Sequence, residues 1–195
     1  MKDKVLLWLN WLKKIINKVL KFFELLESKR DSSPCRCNTE TNEPYVRRLQ
    51  QGIQHNFPHE NLRRWGCYFF ALLRWAQEKN GKVYTDYDII SLFNLAQLQM
   101  MPDPNNPDVQ IPIITEKCFV NDPVRLLNFL AGKRVVSRVG LWTNDENHPT
   151  PTERIFVARE KMPPQLAHFF LMINGVRWDS LPYQIRPRAG FRVLV

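Results

Sequence analysis

Arg64-Trp65-Gly66-Cys67-Tyr68-Phe69-Phe70 stands where a polar, proline-broken stretch gives way to an apolar helical run. A glycine ahead of the helix lets the chain turn tightly and places Cys67 in the first turn, where backbone N–H groups lack intrahelical acceptors and the helix dipole favours negative charge. A free thiol with a pKa of about 8.5 is mostly protonated at neutral pH, but beside an imidazolium at such a terminus it ionises readily. A hundred residues on, the chain supplies the groups that such a thiol needs. His168 lies in Ala167-His168-Phe169-Phe170-Leu171-Met172-Ile173, and Asp179 closes Val176-Arg177-Trp178-Asp179. Between these runs Asn174-Gly175 signals a two-residue type I′ hairpin, which pairs Ile173 with Val176 and sets Asp179 opposite Phe170, two residues from His168. Cys67, His168 and Asp179 thus read as nucleophile, base and orienting carboxylate.

Upstream and downstream of this centre the periodicity changes. Thr85, with Asp88 at the capping-box offset, starts a helix expected to run to about Met101, and Asn121-Asp122-Pro123 starts another that ends at Ala131-Gly132. Pro102 to Pro112 is expected as a proline-dense loop forming a wall of the cleft. From Lys133 the pattern is that of strands: Arg134–Trp142, Arg154–Ala158, His168–Ile173, Val176–Leu181 and Phe191–Val195. Helices first and an antiparallel sheet second make an α+β fold, with the nucleophile helix packed on a C-terminal sheet.

The order Cys on a helix, His at the start of a strand and Asp on the next strand is that of the papain-like cysteine peptidases. Trp65-Gly66-Cys67-Tyr68-Phe69 and His168-Phe169-Phe170 resemble the compact bacterial and phage branches of that superfamily, such as the leader-cleaving peptidases of bacteriocin exporters. Together with Thr85-Asp86 and Cys118-Phe119-Val120, the same segments resemble an uncharacterised family from spirochaete plasmids and phages. The resemblance covers residues 55–195 and implies a thiol protease or amidase that cleaves a peptide, isopeptide or related amide bond, peptidoglycan stem peptides included. It also implies a side-chain amide about six residues ahead of the nucleophile to complete an oxyanion hole, and Asn61 stands at that offset. A papain-like domain that binds without cutting, as a phage structural or host-interaction protein, is the alternative.

Composition agrees with one globular domain and an appendage: 195 residues, 44% hydrophobic and 24% charged. The net charge is +9, of which residues 1–30 carry +5, from eight Lys/Arg and three Asp/Glu. The remainder is only mildly basic, so nucleic acid is not an expected partner. Residues 3–29 carry Val5, Trp8, Leu9, Leu12, Ile15, Ile16, Val19, Phe22, Phe23 and Leu26 at helical spacing, with lysines largely off the stripe. Such a basic amphipathic helix could dock on its own domain, lie on an anionic membrane or pair with a partner helix. It is interrupted too often by lysine to cross a bilayer and lacks a signal-peptide cleavage site. Residues 31–54 read as a polar linker. Cys35 and Cys37 are too close to staple the fold, which points to a reducing compartment: the cytosol, the inner membrane face, or a virion or phage-infected cell. Cys35, Cys37, His55 and His59 have some likeness to a Cys2His2 set, but Cys-x-Cys is unusual for structural zinc, and neither a metal nor a cofactor is expected. Cys118 reads as a packed core residue.

Overall fold

The helix that begins at Cys67 is buried on nearly all sides. In the computed structural model, which describes residues 49–143, 149–162, 166–182 and 188–195, Tyr68 to Leu73 are buried without a break. The short helix α1 (Glu60–Trp65) leads through Gly66 into this central helix, α2 (Cys67–Asn80). Then follow α3 (Asp86–Leu98), a hairpin of β1 (Met100–Asp103) and β2 (Asn106–Pro112), and α4 (Pro123–Ala131). The main sheet comes last: β3 (Ile155–Met162), β4 (Leu166–Ile173), β5 (Val176–Trp178) and β6 (Arg188–Arg192), in the antiparallel order β5-β4-β3-β6. The architecture is therefore α+β. α2 packs against β4 and against α4. The expected helix over residues 3–29 and the linker up to residue 48, with Cys35 and Cys37, lie outside the described residues.

Local chemistry accounts for the helix ends. Thr85 Oγ1 accepts from the Asp88 N–H at 3.2 Å, while the Asp88 carboxylate accepts from the Thr85 N–H at 2.8 Å, a reciprocal capping box. The Asp122 carboxylate caps α4 at the Arg125 N–H, with Pro123 in the first turn and Gly132 closing the helix. In the β4–β5 hairpin, Asn174 and Gly175 adopt φ of 50° and 79°, as a type I′ turn requires, and the register is Ile173 to Val176, Met172 to Arg177 and Leu171 to Trp178.

Three expectations are corrected. Pro102 to Pro112 is a hairpin rather than a loop: in a two-stranded ribbon both strands are edges, so prolines can face outward without breaking a ladder. It does not line the cleft. Arg134–Trp142 is no regular strand. The Ser137 and Arg138 N–H groups share one acceptor, the Val195 carbonyl, which breaks the alternation, and only isolated bridges at Val139 and Thr143 follow. Residues 49–54 belong to the domain. Leu49 is buried and its carbonyl accepts from Trp178 Nε1 at 3.1 Å, while the Gly52 and Gln54 N–H groups donate to the Asp179 and Ser180 carbonyls. Polar composition hid this segment, because its attachment runs through backbone groups that every sequence carries.

Gly66 matters through space rather than through an unusual dihedral. Its φ is −78°, open to any residue, but a Cβ there would lie 2.4 Å from the Leu62 carbonyl oxygen. Gly66→Ala must therefore push the α1–α2 junction apart. It is expected to cost about 1–3 kcal/mol, read as a lower urea midpoint, because an extra methyl in a packed site forces backbone movement.

Candidate active site

At the α1–α2 junction the helical ladder is broken. The Arg63 carbonyl, which a continuous helix would pair with the Cys67 N–H, instead accepts from Gln54 Nε2 at 3.1 Å. The Gly66 N–H still donates to Leu62 and the Phe70 N–H to Gly66, but the Cys67 and Tyr68 N–H groups have no backbone acceptor among the described residues. The half-buried Cys67 side chain therefore sits beside two unused donors. Burial of Phe69, Phe70, Leu72 and Leu73 anchors the helix behind it, each side chain contributing about 1.5–3 kcal/mol.

β4 brings His168 to this helix end. Its ring is buried, and Nε2 lies 2.6 Å from Asp179 Oδ1. An ionised carboxylate can only accept, so the Nε2 proton is assigned to this bond and Nδ1 remains as the ring's other polar atom, with the Cys67 thiol lining the same cleft. Burial alone would lower the His168 pKa. The hydrogen bonds to Asp179 and Cys67, and the charges of both groups, outweigh burial and raise it to about 9.

Asp179 is itself held in place. Oδ1 also accepts from the Leu181 N–H at 3.0 Å, and Oδ2 accepts from Arg177 Nε at 3.2 Å and from Nη2. Burial would raise its pKa, but His168, Arg177 and the Leu181 amide hold it below the usual carboxylate range. Arg177 also pairs with the buried Glu160 at 3.2 Å and lies over the Phe170 ring at 3.8 Å. Glu160, directly opposite His168 in the β3–β4 register, completes a line of alternating acidic and basic groups. Glu160, His168 and Asp179 present three ligand-type atoms within 4.8 Å of one another. The Arg177 guanidinium already binds both carboxylates, so a metal ion would have to displace a buried cation.

Cys67 and His168 open onto a cleft of about 500 Å³, walled on one side by Lys117 to Asn121 and on the other by Trp142 and Phe169. Asn61, expected as an oxyanion donor, is in α1 and does not line this cleft. Its backbone carbonyl accepts from the Cys118 thiol at 3.4 Å. Cys118 is buried as expected, and burial, followed by the charge of Cys67, pushes its pKa up to about 12. Two side-chain amides do line the cleft: Asn121, whose Nδ2 donates to the Pro112 carbonyl at 2.7 Å, and Gln54, whose Oε1 accepts from Ser180 Oγ at 2.7 Å and whose Nε2 retains a second N–H beyond its bond to Arg63. Sequence reasoning missed Gln54, because it lies in a stretch without periodicity. Arg177 could have been found. In a strand, residues two apart share a face, and Arg177 and Asp179 stand at that spacing.

Compared with known proteins, the chain matches no family model, no curated protein and no solved structure.

Proposed function

We propose that this protein is a cysteine hydrolase of papain-like type that cleaves a peptide, isopeptide or related amide bond. The observation that carries the reading is the buried His168, bonded through Nε2 to Asp179 and lining one cleft together with the Cys67 thiol at a helix N-terminus. In this reading His168 Nδ1 already holds the proton given up by the thiol, as its raised pKa favours, and the thiolate sulfur bonds to the carbonyl carbon. The carbonyl π electrons move to oxygen, and the Cys67 N–H with the Gln54 amide stabilises the resulting oxyanion. As the tetrahedral intermediate collapses, the C–N bond breaks and Nδ1–H protonates the departing amine. Water then attacks the thioester with His168 as base, releasing the carboxylic acid and restoring the thiol. The proposed substrates are peptides, peptidoglycan stem peptides among them. The proposed place of action is the cytosol or the inner face of a membrane, supported by the basic amphipathic pattern of residues 3–29. Among the described residues no helix is long and apolar enough to cross a membrane.

The direct test is alkylation of the full-length chain followed by peptide mapping. At pH 6, Cys67 should react with iodoacetamide much faster than Cys118, whose pKa of about 12 leaves almost no thiolate. His168→Ala should remove the difference. Equal rates in the unaltered protein would remove the basis for a nucleophile at Cys67.

The oxyanion assignment is tested separately. Gln54→Ala is expected to lower turnover by about 100- to 1000-fold, the usual cost of losing one oxyanion donor. Asn61→Ala, which leaves the backbone carbonyl and its bond to Cys118 in place, is expected to lower it by less than about tenfold. The reverse order of effects would return the role to Asn61.

A further inference from the structure

The walls of the cleft carry Arg64, Lys117 and Arg192, and among the described residues no carboxylate lines it. Arg64 is 3.4 Å from Glu60, an exposed pair, but neither Lys117 nor Arg192 has an ion-pair partner among the described residues. Arg192 is the more constrained of the two. It leaves β6 against the Trp142 ring, its guanidinium carbon 4.6 Å from the ring centroid, and Arg159 approaches the same indole at 5.1 Å. The ring therefore sits in a field of positive charge. Tyr68, one residue past the nucleophile, stacks on Phe169, one residue past the base, with centroids 4.6 Å apart. The Tyr68 hydroxyl is buried beside Arg192: burial raises its pKa, and the Arg192 charge and a hydrogen bond from its guanidinium offset part of the rise. Among the described residues Arg192 Nε has no acceptor, and the Tyr68 hydroxyl, which meets the Arg192 guanidinium, has none for its own hydrogen. A guanidinium that lines the cleft with no carboxylate partner among the described residues is costly to leave unpaired, and an anion entering the cleft would satisfy it.

We propose that Arg192, with the Tyr68 hydroxyl, forms an anion subsite of the cleft that receives a carboxylate of the substrate, so that the enzyme selects an acidic residue next to the scissile bond. This rests on the hydrolase reading above. Tyr68 follows the nucleophile and Phe169 the base, so a group held there lies within about a residue of the reacting carbonyl. The aromatic walls formed by Tyr68, Trp142 and Phe169 exclude water around the pair, which strengthens a guanidinium–carboxylate contact relative to one in solvent. The half-buried Arg192 facing a basic side chain would instead leave two like charges together, so Lys at the same substrate position is disfavoured.

Two probe sets on the full-length chain bracket the thiol. Peptidyl acyloxymethyl ketones carry Glu, Gln or Lys on the acyl side, and iodoacetyl amino-acid amides carry the same residues on the leaving-group side. The reading is the second-order rate of Cys67 modification. In at least one set Glu should exceed Gln by about tenfold or more, the scale of a hydrogen bond to a charged group, with Lys slowest. Arg192→Gln should bring the Glu-to-Gln ratio to about one, Arg192→Glu should turn the preference toward Lys, and Tyr68→Phe should reduce the ratio in part. Because each ratio is taken within one variant, partial loss of folded protein cancels. Glu and Gln rates within about twofold in both sets, or a ratio that survives Arg192→Gln, would overturn the subsite while leaving the nucleophile in place. Silence of every probe would overturn the hydrolase reading and the subsite together.

Discussion

Exchange of Cys67 for alanine is expected to reduce amide hydrolysis by about 10⁴- to 10⁶-fold, and His168→Ala by a similar factor. In the proposed mechanism the two groups act as one unit, since among the described residues His168 is the one imidazole at the cleft beside the Cys67 thiol, so the double variant should be scarcely worse than either single one. What is lost is the covalent route itself. A thioester intermediate, trapped by acid quench and seen as added mass on the Cys67 peptide, should be present in the unaltered protein and absent from both variants. Cys67 is only half-buried and its side chain is small, so Cys67→Ala should leave the urea midpoint almost unchanged. A hydrolytic activity that persists in Cys67→Ala would assign the chemistry elsewhere.

Asp179→Asn is expected to lower turnover by about 10⁴-fold, the scale found when the third member of a serine triad is neutralised and the imidazole takes the wrong tautomer. Here the amide also faces the Arg177 guanidinium, which keeps its pair with Glu160. The same residue governs the pH dependence of stability. The His168 pKa of about 9 in the folded chain lies above the unfolded value of 6.5, so the protonated ring stabilises the fold. That contribution is complete below pH 6.5, declines as pH rises and is gone above pH 9; its size is on the order of 3 kcal/mol for a group shielded from solvent. Urea midpoints measured between pH 6 and pH 10 should fall across this window in the unaltered protein and change much less in Asp179→Asn. Asp179 adds the opposite trend at low pH: its pKa is depressed, so its contribution is present above the normal carboxylate range and is lost as pH falls through the lowered value. A flat profile in the unaltered protein would mean that the imidazole is not held as a cation.

Much of the fold could be read from short stretches of sequence. Thr85 and Asp88 close their capping box within four residues, Asp122-Pro123 and Gly132 bound α4, and Asn174-Gly175 sets the register of β4 and β5. Each of these signals works because its partners are neighbours in the chain. The order of Cys67, His168 and Asp179 was legible for a related reason: a helix start, a strand and a hairpin are local objects, and the hairpin register carries Asp179 toward His168 without further information. Arg134–Trp142 has strand-like side chains but sits at an edge where two N–H groups compete for the Val195 carbonyl, a conflict that no window of sequence displays.

By itself the sequence determined which residues begin and end the helices, which strands form a hairpin, and that a thiol, an imidazole and a carboxylate occur in an order suited to nucleophilic chemistry. Tertiary structure alone decided that Gln54 rather than Asn61 stands at the cleft, that Arg177 and Glu160 buttress Asp179, and that Arg192 meets the Tyr68 hydroxyl beside Trp142. These are contacts between side chains far apart in the chain. They form because burial removes water as the alternative hydrogen-bond partner, so a buried amide, carboxylate or guanidinium must find its partner wherever packing places one. Residue type announces that demand; only the folded chain chooses the partner.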